Sequence, residues 1–233
     1  MPDSTSIVHR DDHLVIADKP AGMLAVGPGS IHELLAAELG ERLFIVHRLD
    51  RETSGLIAFA RDPGTHRYLS GRFEERAVEK VYLAAVTGHL DPASGSVDLA
   101  LREFGSGRMG LDRRGKPSHT AYAVREQLTD ADLVELRPRT GRRHQLRVHM
   151  HAIGHAVLGD PRYGNPRPVG GVERLMLHAA ALSFEGPDGT PIAVTAAPPP
   201  DFEAIVASLR GPGRKAGRAS KLAGAEGFEP SIS

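Results

Sequence analysis

The segment His47-Arg48-Leu49-Asp50-Arg51-Glu52-Thr53-Ser54-Gly55 separates two short apolar runs, Leu43 to Val46 and Leu56 to Ala60. Runs of this length and β-branched content read as strands, which makes the polar stretch between them a connecting loop. A loop fixed at both ends by strands holds its side chains in place, so it is a natural carrier of chemistry. Its candidate functional group is the Asp50 carboxylate, flanked by His47, Arg48 and Arg51. The alternative is an aspartate that only caps a turn.

Working outward, Ser6 to His9 and His13 to Ala17 read as strands, with turn chemistry following at Lys19-Pro20-Ala21-Gly22. Ser30-Ile31-His32-Glu33 has the spacing of a capping box. It precedes Leu34, Leu35 and Leu39 and is closed by Gly40, so a helix of about three turns is expected there. Pro63 to Glu75 reads as a second helix and Val78 to Thr87 as a strand, with Lys80 and Tyr82 on one face and Val81, Leu83 and Ala85 on the other. Gly105 to Pro117 is rich in Gly and Arg and reads as an exposed loop, and Thr120 to Val124 and Asp132 to Leu136 resume strand patterning. Over Thr140 to Gly154, Leu146, Met150 and Ile153 recur at helical spacing, placing His144, Arg147 and His151 on a second, polar stripe. Leu175 to Phe184 and Ile192 to Ala196 look like closing strands, and Asp201 to Leu209 like an amphipathic helix. Strands with segregated helices indicate an α+β class on a largely antiparallel sheet.

The 233 residues are enough for one substantial core. Residues 1 to 210 are expected to form it, and 211 to 233, poor in apolar residues, are expected to be a disordered tail. No apolar run is long enough to span a bilayer, and no secretory signal opens the chain. The absence of cysteine excludes disulfides, a thiolate nucleophile and cysteine-based metal sites, and the cytoplasm is the simplest compartment. The 29 basic and 29 acidic residues cancel. Their distribution is uneven: Leu136 to Gly159 carries Arg137, Arg139, Arg142, Arg143 and Arg147 with no Asp or Glu. Such a run is either a phosphate-binding patch or a solvated basic face.

His144, His149, His151 and His155, with His178 downstream, invite a metal reading. Gly154 stops the helix between His151 and His155, and no H-E-x-x-H pattern is present, so histidines that cap or pack are the simpler explanation and no metal is expected. No P-loop and no G-x-G-x-x-G after a strand occurs, which leaves nucleotide cofactors unsupported.

His47 to Gly55 resembles the H-R-L-D-x-x-T-S-G signature of the RluA-type RNA pseudouridine synthases. The similarity continues in family order through Lys80-Val81-Tyr82, Thr140-Gly141-Arg142-Arg143-His144-Gln145-Leu146-Arg147, Gly159-Asp160-Pro161-Arg162-Tyr163-Gly164 and Leu177-His178-Ala179. Arg143 stands where the family often has Ser or Thr, and Ala156 where it usually has Pro.

The resemblance implies the pseudouridine synthase fold, a curved, largely antiparallel mixed sheet flanked by helices and loops, with its cleft beside Asp50. It implies uridine isomerisation without a cofactor in stem-loops of tRNA or large-subunit rRNA. Asp50 would be the nucleophile, Arg147 the cation that keeps it ionised, and Tyr82 the ring stacked on the uracil. Arg48 would fill the space left by the flipped nucleotide, because a stacked base cannot be reached. Lys80, Arg142 and His144 would contact RNA, helped by the Arg-rich loop and tail. With only a few residues before the first strand, no S4-like module is expected, and a monomer without an obligate protein partner is.

Overall fold

The computed structural model describes residues 6–105, 107–164 and 172–211. The tail expected from residue 211 onward therefore lies, but for Gly211, outside the described residues.

The chain begins with the antiparallel pair β1 (Ser6–Arg10) and β2 (Leu14–Lys19), with Asp11 accepting from the backbone N–H groups of His13 and Leu14 at the turn. Helix α1 (Ile31–Leu39) follows and obeys its sequence signals at both ends. Ser30 caps the Glu33 N–H, and Gly40 takes the left-handed conformation, φ 64°, that stops the helix. The reciprocal half of the capping box slips by one residue, since the Glu33 carboxylate accepts from Gly29 rather than Ser30. Ile31 and Leu35 are fully buried and seat the helix on the sheet. Burying each contributes about 1.5–3 kcal/mol.

Strand β3 (Phe44–Ile45) is shorter than the apolar run that announced it; β4 (Ser54–Ala60) is buried along its whole length. Alternate residues of β2 and β4 serve two layers. Val15, Ala17, Ile57 and Phe59 pack with α1, and Leu14, Ile16, Leu56 and Ala58 pack with Leu69 of helix α2 (Pro63–Glu74). A third cluster joins β5 (Glu79–Thr87) and β10 (Ala131–Pro138) to Leu146 and Met150 of α3 (Gln145–Ala152) and to Phe202, Val206 and Leu209 of α4 (Pro200–Leu209).

With β6 (Ser94–Asp98), β9 (His119–Gln127), β11 (Leu177–Glu185) and β12 (Pro191–Thr195), these strands form one ten-stranded sheet in the order β1-β2-β4-β11-β5-β10-β9-β6, with β12 added to β11 and β3 to β4. Among the described residues only β4 and β11 run parallel, so the sheet is mixed and largely antiparallel in an α+β fold, as expected. Their pairing explains Gly55, which adopts φ 109° and whose Cβ would stand 2.3 Å from the Ala179 carbonyl oxygen.

Two sequence expectations need correction. Part of the Gly105 to Pro117 loop is strand β8 (Met109–Leu111), which pairs with β7 (Leu101–Glu103); so short a ladder leaves little pattern to read. The helix expected over Thr140 to Gly154 is only α3, because Gln145 spends its side chain on the preceding residues. It accepts from the Thr140 hydroxyl and the Arg142 N–H, which fixes them as a loop.

Candidate active site

The loop between β3 and β4 is secured before it carries any chemistry. Leu49 is buried against the α1 layer, turning its neighbours Arg48 and Asp50 toward the cleft. Thr53 N–H closes a turn onto the Asp50 carbonyl at 3.2 Å. From below, the fully buried Lys19 donates to the carbonyls of Pro20, Met23 and Arg51 at 2.9, 2.9 and 3.0 Å. Burial lowers its pKa to about 8, against the partial opposition of the Glu52 and Asp50 charges. Sequence reading took Lys19 as part of a turn; its signal, a lysine directly after an apolar strand, is too common to single it out.

Asp50 is partly exposed, and its Oδ2 accepts from Nη1 of Arg147 at 3.0 Å. Helical spacing put Arg147 on a polar stripe with His144 and His151; Arg147 is 2% exposed, and His144 precedes the helix as its cap residue. Arg147 is held on its far side by Asp160, which accepts from Nε at 2.7 Å and from Nη2 at 2.8 Å. A planar guanidinium gripped by two bonds from one carboxylate has a fixed direction, and the remaining Nη1 points at Asp50. Burial disfavours the charge on Arg147, but the Asp160 bonds, followed by those to Asp50, outweigh it and leave the guanidinium more firmly protonated than usual. Burial likewise works against Asp160, and its bonds from Arg147 and from the Arg162 and Tyr163 N–H groups hold its pKa below the usual range. Asp160 entered the sequence reading only as a motif residue in a loop. Nothing in a linear pattern states that it clamps Arg147.

Tyr163 completes the support. Its ring lies under the Arg147 guanidinium, 5.4 Å from centroid to Cζ, and its buried hydroxyl accepts from Met109 N–H at 3.0 Å. Nδ1 of His144 lies 2.9 Å from the same hydroxyl, which has a hydrogen to donate to it. Nε2 faces the second oxygen of Asp50 at 3.8 Å, too far for a hydrogen bond and close enough to share a ligand with it. Burial lowers the pKa of His144, with Asp50 opposing, so a neutral ring is favoured.

A cavity of about 510 Å³ opens beside Asp50, and a second of about 350 Å³ shares Arg48, Asp50, His144 and Arg147 with it. The residues to which the family resemblance gave site roles all line the larger cavity: Asp50, Tyr82 and Arg147, and also Arg48, Lys80, Arg142 and His144. Arg48 is exposed and pairs with no carboxylate among the described residues. Lys80 lies over the Phe73 ring at 5.9 Å, and the same ring stacks on His47 at 4.7 Å. Nε2 of His47 accepts from Ala58 N–H at 2.9 Å, and burial, reinforced by Lys80, lowers its pKa to about 3. Burial and then the Asp50 charge raise the pKa of Tyr82, so its phenol stays protonated.

Of the other histidines of the supposed cluster, His151 has its ring 6.4 Å from that of Tyr163, and the remaining three serve separate bonds. His149 meets Thr120 and Ser118 at 2.9 and 3.0 Å, His155 meets the Thr87 carbonyl at 2.8 Å, and His178 lies between Ser54 and the Ala196 carbonyl at 3.0 and 3.1 Å. Among the described residues no group of three or more His, Asp or Glu side chains is arranged to hold a metal ion. No described helix is long and apolar enough to cross a membrane.

The family described as RNA pseudouridylate synthase matches residues 13–152, a span that includes Asp50, Tyr82 and Arg147 and ends before Asp160. The chain is 38% identical over 228 residues to the dual-specificity RNA pseudouridine synthase RluA of Vibrio vulnificus (strain CMCP6), covering 91% of each chain. It is 40% identical over 191 residues to the enzyme of that name from Escherichia coli (strain K12), across 78% of this chain and 87% of the relative. Among solved structures, human RNA pseudouridylate synthase domain containing 4 superposes with a TM-score of 0.76 at 30% identity, covering 88% of this chain and 92% of the other. The chain belongs to the RNA pseudouridylate synthase family.

Proposed function

We propose that this protein isomerises uridine to pseudouridine in stem-loop regions of tRNA, large-subunit rRNA or both, with residues 1 to 210 as the catalytic domain. The observation that carries the reading is the Asp50 carboxylate held on one oxygen by a clamped Arg147, its other oxygen facing the cleft. The reaction breaks the N1–C1′ bond, turns the uracil, forms C5–C1′ and moves one proton from C5 to solvent while N1 gains one. It is redox-neutral and keeps all its atoms. Asp50 must be ionised to take part, whether it attacks C1′ or removes the C2′ proton, and Arg147 stabilises that charge.

Tyr82 offers an aromatic face for the uracil. Because its phenol stays protonated, it acts as a hydrogen-bond donor at rest, and any passage of the C5 proton runs through a neutral hydroxyl. Arg48 lines both cavities, which supports its occupying the gap in the RNA once the target nucleotide has swung out of the stack. Lys80, Arg142 and His144 line the same cleft and contact the RNA. The protein works as a cytoplasmic monomer.

The test is to map pseudouridines across total RNA from cells with and without the gene. Loss of modification at one or a few uridines, restored by the purified protein without added nucleotide or metal, is expected. Identical maps, with no isomerisation by the purified protein on unmodified RNA, would refute it.

A further inference from the structure

Among the described residues three non-glycine residues have positive φ: Arg76, Asp130 and His144. Arg76 and His144 both line the larger cavity. Asp130 sits in the turn between β9 and β10, away from it.

The conformation at Arg76 has a plain local cause. Helix α2 ends in a Schellman motif, with Ala77 N–H donating to the Arg72 carbonyl at 2.9 Å and Arg76 N–H to that of Phe73 at 3.3 Å. This motif puts the residue after the cap in the left-handed region, φ 63° here, where glycine is the usual occupant and a side chain adds strain. The fold thus needs the backbone geometry and gains nothing from an arginine. The guanidinium is exposed on the cavity wall and pairs with no carboxylate among the described residues.

The wall around it is electropositive. Arg48, Lys80 and Arg142 stand on it and also pair with no carboxylate among the described residues; the Nε of Arg142 is buried without a hydrogen-bond partner. The acidic groups on this wall are Asp50, already bound to Arg147, and Glu74. Unneutralised cations around a cleft attract phosphates, and strained side chains gather where a ligand uses them.

We infer that Arg76, at the C-terminal end of α2, binds a phosphate of the RNA strand at the rim of the cleft. The inference rests on the RNA-modifying reading and adds a contact that the sequence motifs do not contain.

The test compares Arg76→Gly, Arg76→Lys and Asp130→Gly on the RNA that the wild type isomerises. Glycine at either position fits the backbone, so both glycine variants should melt at or above the wild-type temperature. Arg76→Gly alone should bind RNA about three- to tenfold more weakly at low salt, with the slope of log Kd against log salt smaller by about 0.7–0.9, the value of one lost phosphate contact. Its kcat at saturating RNA should be unchanged. Arg76→Lys should keep the slope. Wild-type affinity and slope in Arg76→Gly, or a lowered melting temperature, would overturn the inference while leaving the reaction assignment standing. Failure of the wild type to isomerise any RNA would instead remove the assignment on which it rests.

Discussion

Replacing Arg147 by Met tests the site's architecture, because the arginine hydrogen-bonds two carboxylates of unequal exposure, with Glu52 a third carboxylate 3.9 Å away. Asp160 has no exposed side-chain surface, whereas the Asp50 side chain is 20% exposed. Without the guanidinium, Asp50 can be hydrated. Asp160 cannot: its Oδ1 keeps the Arg162 and Tyr163 N–H groups, while Oδ2 is left without the Arg147 bond. Leaving a buried charge uncompensated costs about 3–5 kcal/mol. At about 2–4 °C per kcal/mol for a domain of this size, the melting temperature should fall by about 6–20 °C. Arg147→Met/Asp160→Asn removes the stranded charge and keeps an amide oxygen for the two N–H groups. It should recover about 2 kcal/mol over Arg147→Met, a coupling readable from thermal or urea unfolding of wild type, both single variants and the double variant. The double variant should fold and still form no pseudouridine, which separates the arginine's part in the reaction from its part in the fold. Additive destabilisation would refute the shared clamp. Near-normal turnover by the folded double variant would refute the role of Arg147.

Three further outcomes follow from the same geometry. His47 is neutral in the fold down to about pH 3 but protonates near 6.5 when unfolded, so its contribution is complete above pH 6.5 and is lost as the pH falls toward 3; the full window corresponds to at most about 5 kcal/mol. His47→Gln, which keeps an acceptor for Ala58 N–H, should flatten the acid limb of a stability-against-pH curve, and an unchanged limb would show that other groups set it. Gly55→Ala combines a strained φ with a Cβ only 2.3 Å from the Ala179 oxygen and should cost more than about 3 kcal/mol by urea unfolding; a loss under about 1 kcal/mol would mean that β4 and β11 part easily. Tyr82→Phe keeps the stacking face and should retain RNA affinity, while Tyr82→Leu should weaken it, and equal affinities would remove the ring from the binding account.

Much of this site could be read in the chain because the decisive signals are local. Asp50 stands in a loop that two apolar runs announce, Ser30 and Gly40 bound α1 by their own chemistry, and Lys80 and Tyr82 share a face by strand alternation. What could not be read depends on residues distant in sequence or on competition for one side chain. The parallel pairing of β4 with β11 sets Gly55 against Ala179, and that approach, together with φ 109°, explains why Gly55 must be glycine. Arg147 belonged to a helical period that placed it on a polar stripe, and that period does not show that the residue is buried between Asp160 and Asp50. Lys19 reads as punctuation until its three carbonyl acceptors are seen. The hydrophobic period over Thr140 to Gly154 was correct for α3 alone, since the hydrogen bonds of Gln145 override it upstream.

Asp50→Asn tests the central claim most directly. The substitution preserves size and a hydrogen-bonding oxygen for Arg147 while removing the charge and most of the nucleophilicity. Assayed on unmodified RNA with a chelator present, the wild type should convert its target uridine, and Asp50→Asn should bind that RNA with similar affinity and form no detectable pseudouridine. Isomerisation by Asp50→Asn at a rate near the wild type's would contradict the account.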